Sequence, residues 1–488
     1  MENRMGLYID TSVAVPMRDR VTLATDLWQP AGTGPWPVLL ARTPYGRTST
    51  VHLGNPKLPD IRALVDSGYL VVVQDVRGTG ESPGLMEPHR FDQSDTVDTL
   101  AWIADQDWCN GSVGMWGASY MGFPQWQAAA LAPPVLRAIA PAMTSADIYR
   151  AWYSSQGAVS QGTLFNWSAR MAVANLSRPR SDGPPDPRDA ASVRAALEDV
   201  DTLYSLPIAH QDALLRGLPW LGEMLAHPDY DAYWKRLAAL DHSSAITAPA
   251  LNVTGWYDVF AREVVRSYTT MRRSGGSVSA RDGQQLIIGP WGHGDGADLG
   301  VFPDRSFGPA GSVKAAAITP AHLRFYDRWL KGGVEVDPGA RVRIFVMGLD
   351  RWREEDDWPL PDTRYEDYFL RSAGRANSAE GDGQLHRAPP TTTAATRTPT
   401  IRSIRSRPWA ERHWASTDSP VQPIRPMWNA ATTSSATPAN HSRNRWRSPA
   451  TSPSPCTCPR REQPAPSAAT PLGLTGMAGS ASTGGVLR

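Results

Sequence analysis

The string Gly117-Ala118-Ser119-Tyr120-Met121-Gly122 sets a serine between two glycines, where a short apolar run ends and a helical pattern begins. A serine hydroxyl is a poor nucleophile until a base takes its proton. The string reads G-x-S-x-x-G, and such a string gains meaning from this strand-turn-helix setting alone. Exposing Oγ there requires a sharp, strained turn, so the flanking positions need glycine where a side chain would strike the strand or the helix. The same turn directs the Tyr120 N–H into the space beside Ser119. The competing reading is a glycine-rich turn with an incidental serine.

Such a serine needs a base, and the base needs an orienting acid. Downstream, Asp258 stands three residues past the apolar run 250–255, and His293 stands four past the run 285–289. Serine, aspartate and histidine in that order, each just beyond a strand end, is the arrangement of a wound α/β hydrolase. The other candidates fit less well. His210 and His227 lie in a helical stretch, His242 precedes a strand, His322 is mid-helix, and His386, His413 and His441 lie near or beyond residue 386. Acyl transfer also asks for a second oxyanion donor beside the Tyr120 N–H. The loop after the first buried strand reads Arg42-Thr43-Pro44-Tyr45-Gly46 and has no glycine run to supply a backbone N–H. The Tyr45 hydroxyl is the candidate, against the alternative of a loop aromatic packed on the sheet edge. Cys456-x-Cys458 lacks the second pair that a structural zinc site needs, so no metal and no cofactor is expected.

The elements that must hold these residues alternate. Residues 38–43, 68–75, 113–117, 250–255 and 285–289 are short continuous apolar runs bounded by Gly and Pro, as expected for parallel strands covered on both faces. Helical stretches lie between them, at 95–104 and 123–130. A further helix has Thr319 as its N-cap and Pro320 at the first helical position, and stops at Gly332. This alternation predicts an α/β protein with a parallel, wound sheet. Residues 145–241 break the rhythm: they are strand-poor, with Pro-bounded helical pieces at 207–226 and 228–240, and read as a helical cap insertion over the active edge.

Composition divides the 488 residues in two. The overall charge of +1 hides a body, residues 1–390, at −8 and a tail, 391–488, at +9. Fifteen Thr, 14 Ala, 13 Pro, 13 Ser and 12 Arg dominate the tail, which has no Lys, Phe or Tyr. So few apolar groups cannot offset the entropy of ordering, and disorder is expected there. The balanced charge argues against nucleic acid as a partner. Without a signal-like start or an apolar run of spanning length, a cytoplasmic protein with no membrane association is expected.

Several strings together resemble the cocaine esterase-like group of serine hydrolases, within the family that includes X-Pro dipeptidyl-peptidases and α-amino-acid ester hydrolases. They are VPMRDRVTLATDLWQP, RTPYG, VVVQDVRGTGES, DWCNGSVGMWGASYMG, HPDYDAYW, TGWYDVF, IIGPWGH and VRIFVMGLDRWREEDDWPLPDT, spread from about residue 9 to about 385. The resemblance implies an α/β-hydrolase fold with Ser119 as nucleophile, Asp258 and His293 as its partners, and an oxyanion held by the Tyr45 hydroxyl and the Tyr120 N–H. It also implies an acyl pocket lined by Trp152, Trp167 and Phe260, for which core packing is the other reading.

The layout is then an α/β-hydrolase domain at 1–144 and 242–355, a helical cap insertion at 145–241, the start of a C-terminal β-domain at 356–390, and the tail at 391–488. Two departures from the family stand out. The first hairpin has Arg20 where the family has a turn glycine, and the C-terminal jelly roll begins at 365–372 and is then lost. The tail's composition is that expected when a GC-rich gene is read out of frame, which would put the shift near residues 387–395; a natural disordered tail is the other reading. The expected activity is hydrolysis of a small carboxylic ester. The alternatives are an X-Pro dipeptidyl-peptidase or amino-acid ester hydrolase with the same triad, and an inactive truncated product. Oligomeric state is not readable from the sequence.

Overall fold

The computed structural model describes residues 8–49, 54–152, 159–178, 187–198, 215, 218–294, 299–302, 304–332, 336–376 and 381–389. The tail at 391–488, expected to be disordered, lies outside the described residues, as does half of the helical piece expected at 207–226.

Two antiparallel strands, β1 (Tyr8–Pro16) and β2 (Thr22–Gln29), open the chain. Arg20, in the turn between them, takes φ +70°, so the position where the family keeps glycine does demand the left-handed region. Next come β3 (Trp36–Thr43), α1 (Ile61–Asp66), β4 (Leu70–Asp75), α2 (Asp92–Ala104), β5 (Cys109–Ala118), α3 (Phe123–Ala129) and β6 (Leu136–Ala142). The helices α4 (Ile148–Trp152), α5 (Gln161–Leu176), α6 (Pro187–Glu198), α7 (Pro219–Leu225) and α8 (Ala232–Lys235) form the strand-poor insertion. The sheet resumes with β7 (Leu251–Tyr257), α9 (Ala261–Ser274), α10 (Val278–Asp282) and β8 (Gln285–Gly292). A short pair, β9 (Val301–Phe302) with β10 (Arg305–Ser306), precedes α11 (Ile318–Leu330), β11 (Val342–Val346) and β12 (Arg351–Glu355).

Among the described residues, ten of these strands form one sheet, in the order β1-β2-β4-β3-β5-β6-β7-β8-β11-β12. Its centre, from β4 to β11, is parallel. Continuous apolar runs arise there because successive side chains alternate between two cores. Leu39, Ala41, Val71 and Val73 pack with α1 and α11 on one face. Val38, Leu40, Leu70 and Val72 pack with α2 and α3 on the other. A third core belongs to the insertion, where Trp152, Leu164, Phe165, Trp167 and Trp220 meet Tyr120, Phe123 and Phe260 from the sheet's loops. Beyond the sheet, β13 (Phe369–Arg371) pairs with β14 (Gln384–His386), in the segment expected to begin a β-domain.

Two helices differ from expectation. α11 begins at Ile318 rather than after Thr319, because Ala317 takes the left-handed conformation (φ +53°) and starts the turn earlier. Pro320 remains in the first turn, where its missing N–H has no partner to lose. The Thr319 hydroxyl instead accepts from the Asp60 N–H at 3.0 Å. The helix expected at 228–240 shrinks to the single turn of α8 and a 3-10 segment, Ala239–Ala245. Asp231 forces this break: its side chain accepts from the Tyr233 N–H and from His227 Nδ1, so the chain can become helical only after it.

Candidate active site

The polypeptide turns sharply where β5 ends. Ser119 itself holds φ +58°, in a left-handed region that costs a non-glycine residue about 1–3 kcal/mol unless its surroundings enforce it. Enforcement is visible on both sides. Gly117 has φ +140°, and a Cβ there would sit 2.5 Å from Met121 Cβ; one on Gly122 would sit 2.5 Å from Thr144 Cγ2. Neither position can carry a side chain without opening the turn.

β7 delivers the acid and β8 the base. Past the end of β7, the Asp258 N–H donates to the Gly255 carbonyl (3.0 Å), which curls the chain and buries the carboxylate. Oδ1 accepts from the Phe260 N–H (2.7 Å) and Oδ2 from His293 Nδ1 (2.8 Å). With Nδ1 donating, His293 Nε2 carries the lone pair, and it lies 2.9 Å from Ser119 Oγ. Three residues separated by up to 174 positions thus form one hydrogen-bonded chain. The Phe260 ring stands edge-on to the imidazole with centroids 5.2 Å apart.

Tyr45 lies just past β3, its N–H held by Thr43 Oγ1 at 3.1 Å. Its hydroxyl oxygen accepts from Trp167 Nε1–H (3.3 Å) and also interacts with the Ser119 side chain. Burial pushes the phenol pKa up, so the hydroxyl keeps its proton and can donate it in a hydrogen bond. Tyr120 has the neighbouring backbone N–H, while its ring stacks on His89 (4.8 Å) and Trp167 (5.9 Å). Burial, and then the adjacent Asp92 carboxylate, hold the Tyr120 phenol pKa well above its ordinary value.

A cleft opens beside Ser119 and His293, walled by Phe123, Ile148, Trp152, Trp167 and Phe260. Trp152 stacks on Trp167 (5.7 Å) and meets Phe260 edge-on (6.1 Å). These aromatics are each about 5–7 % exposed, so packing in the insertion's core and lining the cleft are the same arrangement. No acidic residue is among the cleft's described walls.

Two polar residues near the site are not apparent from the sequence. Lys57 is 2 % exposed and reaches behind the catalytic-histidine loop, donating to the Gly294 carbonyl at 2.8 Å and lying 3.5 Å from that of His293. His89 is buried with φ +69° and lies 3.3 Å from Asp92 through Nδ1. Both sit in irregular loops, where no periodicity marks a residue as buried.

Comparison with known proteins gives the chain a family. Residues 19–295 match the family described as X-Pro dipeptidyl-peptidase (S15 family), and residues 334–401 match the X-Pro dipeptidyl-peptidase C-terminal non-catalytic domain. A cocaine esterase from Rhodococcus sp. (strain MB1 Bresler) is 41% identical over 381 residues, covering 77% of this chain and 65% of the relative. The chain therefore spans less than two thirds of that protein's length. Among solved structures, an aminopeptidase from a marine sediment Thaumarchaeota archaeon superposes with TM-score 0.59 at 22% identity, covering 84% of this chain and 69% of the other. An α-amino acid ester hydrolase superposes with TM-score 0.58 at 22% identity, covering 81% and 65%. At that identity the likeness is one of fold.

Proposed function

Because the chain belongs to the X-Pro dipeptidyl-peptidase (S15) family, we propose that it is a serine hydrolase that cleaves carboxylic esters through Ser119, His293 and Asp258. His293 Nε2 takes the Ser119 proton as Oγ attacks the ester carbonyl, and Asp258 holds the imidazole and stabilises its charged form. The Tyr45 hydroxyl and the Tyr120 N–H bind the oxyanion, each such donor contributing about 10²–10³ in rate. His293 then protonates the leaving alcohol, and water, activated by the same imidazole, releases the acid from the acyl-enzyme. The aromatic cleft receives the acyl group, where flat apolar surface favours an aromatic or branched acid.

The observation that carries this reading is the chain from Ser119 Oγ to His293 (2.9 Å) to Asp258 (2.8 Å), seated on a strained turn at an apolar cleft. The relative named a cocaine esterase supports an ester as substrate. An exopeptidase would need a carboxylate to hold the substrate ammonium, and three of the insertion's described acids, Asp147, Asp231 and Glu223, face basic side chains instead. Asp147 pairs with Arg150 and Arg266 (3.2 Å each) and Asp231 with His227, while Glu223 faces Arg90 at 3.9 Å. Parallel assays on an aryl ester and an Ala-Pro anilide test the choice. Turnover of the ester alone is expected; preferential cleavage of the anilide would reverse the assignment.

A further inference from the structure

Trp167 belongs to α5, inside the insertion, yet its indole N–H donates to the hydroxyl oxygen of Tyr45, 122 positions away in the chain. A tyrosine hydroxyl has one proton and two lone pairs. An N–H seated on a lone pair leaves the proton free to point elsewhere, and polarises the O–H into a better donor. The indole is well fixed for that task. Trp167 is 6 % exposed, stacks on Tyr120 and Trp152, and meets Trp220 edge-on at 5.9 Å. Tyr45, in turn, is held at its own N–H by Thr43, so both ends of the contact are positioned.

We propose that Trp167 is a positioning residue for the oxyanion donor: its indole N–H sets the direction of the Tyr45 hydroxyl proton toward the reacting carbonyl. An element of the insertion thereby completes the oxyanion hole built by the sheet. Trp167 then has two separable roles, its ring as a wall of the cleft and its N–H as a support for Tyr45. The second role rests on Tyr45 being an oxyanion donor.

A double-mutant cycle on the full chain separates the two, with kcat and KM for an aryl ester as readouts. Trp167→Phe keeps a stacked ring and removes the N–H. It is expected to lower kcat about 3- to 10-fold, the worth of one supporting hydrogen bond, with KM changed less than about twofold. Tyr45→Phe is expected to lower kcat by about 10²–10³. In the Tyr45→Phe background, adding Trp167→Phe is expected to cost less than about twofold, since the hydroxyl it supports is gone. An equal cost in both backgrounds would mean that Trp167 acts by packing alone, and would overturn the proposal. So would full kcat in Trp167→Phe when Tyr45→Phe is impaired. Full kcat in Tyr45→Phe would remove the oxyanion reading of Tyr45 itself, a failure seen in the single variant. Should Trp167→Phe fail to fold, benzothienylalanine at 167 keeps the bicyclic shape without the N–H, and the same cycle applies.

Discussion

Replacing Asp258 with asparagine exchanges one carboxylate oxygen for an amide nitrogen, and the hydrogen bonds around that group dictate the outcome. Oδ1 already accepts from the Phe260 N–H at 2.7 Å, so the asparagine carbonyl must take that place. The amide NH₂ then occupies the Oδ2 position, 2.8 Å from His293 Nδ1. It can only donate there, which makes Nδ1 the acceptor and moves the ring proton to Nε2. Nε2 would then point a hydrogen at Ser119 Oγ, 2.9 Å away, and could no longer accept its proton. Loss of the base through the wrong tautomer is worth about 10⁴ in kcat, or about 5.5 kcal/mol of barrier. The volume is unchanged and a buried charge is replaced by a neutral group, so the fold is expected to survive, as checked by cooperative melting. Steady-state hydrolysis of an aryl ester by Asp258→Asn measures the effect. A loss of less than about tenfold in a folded variant would refute the idea that Asp258 fixes the tautomer of His293.

Other consequences reach beyond the triad. His322 is fully buried on α11, donates from Nδ1 to the Ile318 carbonyl (2.9 Å), and burial pushes its pKa from 6.5 down to about 4. The unfolded chain binds this proton first, so stability is complete above pH 6.5 and falls as pH drops toward 4, by about 3 kcal/mol in all. Urea unfolding of wild type and His322→Gln across that range should show their stability difference shrinking with acid; a pH-independent difference would contradict it. Arg20→Gly relieves a left-handed arginine (φ +70°) and should stabilise the chain by about 1 kcal/mol, read as a higher Tm; an unchanged or lower Tm would count against strain at that turn. Lys57→Met removes the ammonium bonded to the Gly294 carbonyl behind His293. Looser placement of the base should lower kcat about tenfold with little change in KM, and an unaltered kcat would show that Lys57 does not support the loop.

The parts of this molecule that obey short-range rules are readable from its residues. Val71, Val72 and Val73 declare a strand buried on both faces because each face needs its own core. Ser119, Asp258 and His293 stand out because each lies within a few residues of a strand end, and strand ends in a parallel sheet share one edge. Other features depend on contacts between distant segments. Lys57 resembles any loop lysine until the His293 loop packs over it, and the Trp167–Tyr45 hydrogen bond joins an insertion to a sheet loop. Thr319 has the right type for an N-cap, but the hydroxyl is drawn to Asp60, and the left-handed Ala317 starts the helix sooner. Asp231 likewise has the type of a cap, and the break it imposes at 228–240 is visible only when His227 and Tyr233 converge on it.

The role of Ser119 as nucleophile is tested most directly by treating the full chain with a fluorophosphonate and mapping the modified peptide by mass spectrometry. The label is expected on Ser119, with aryl-esterase activity lost in proportion to labelling, and neither label nor activity in Ser119→Ala. A folded, soluble chain that takes no label at Ser119, or a Ser119→Ala variant that keeps its esterase activity, would contradict it.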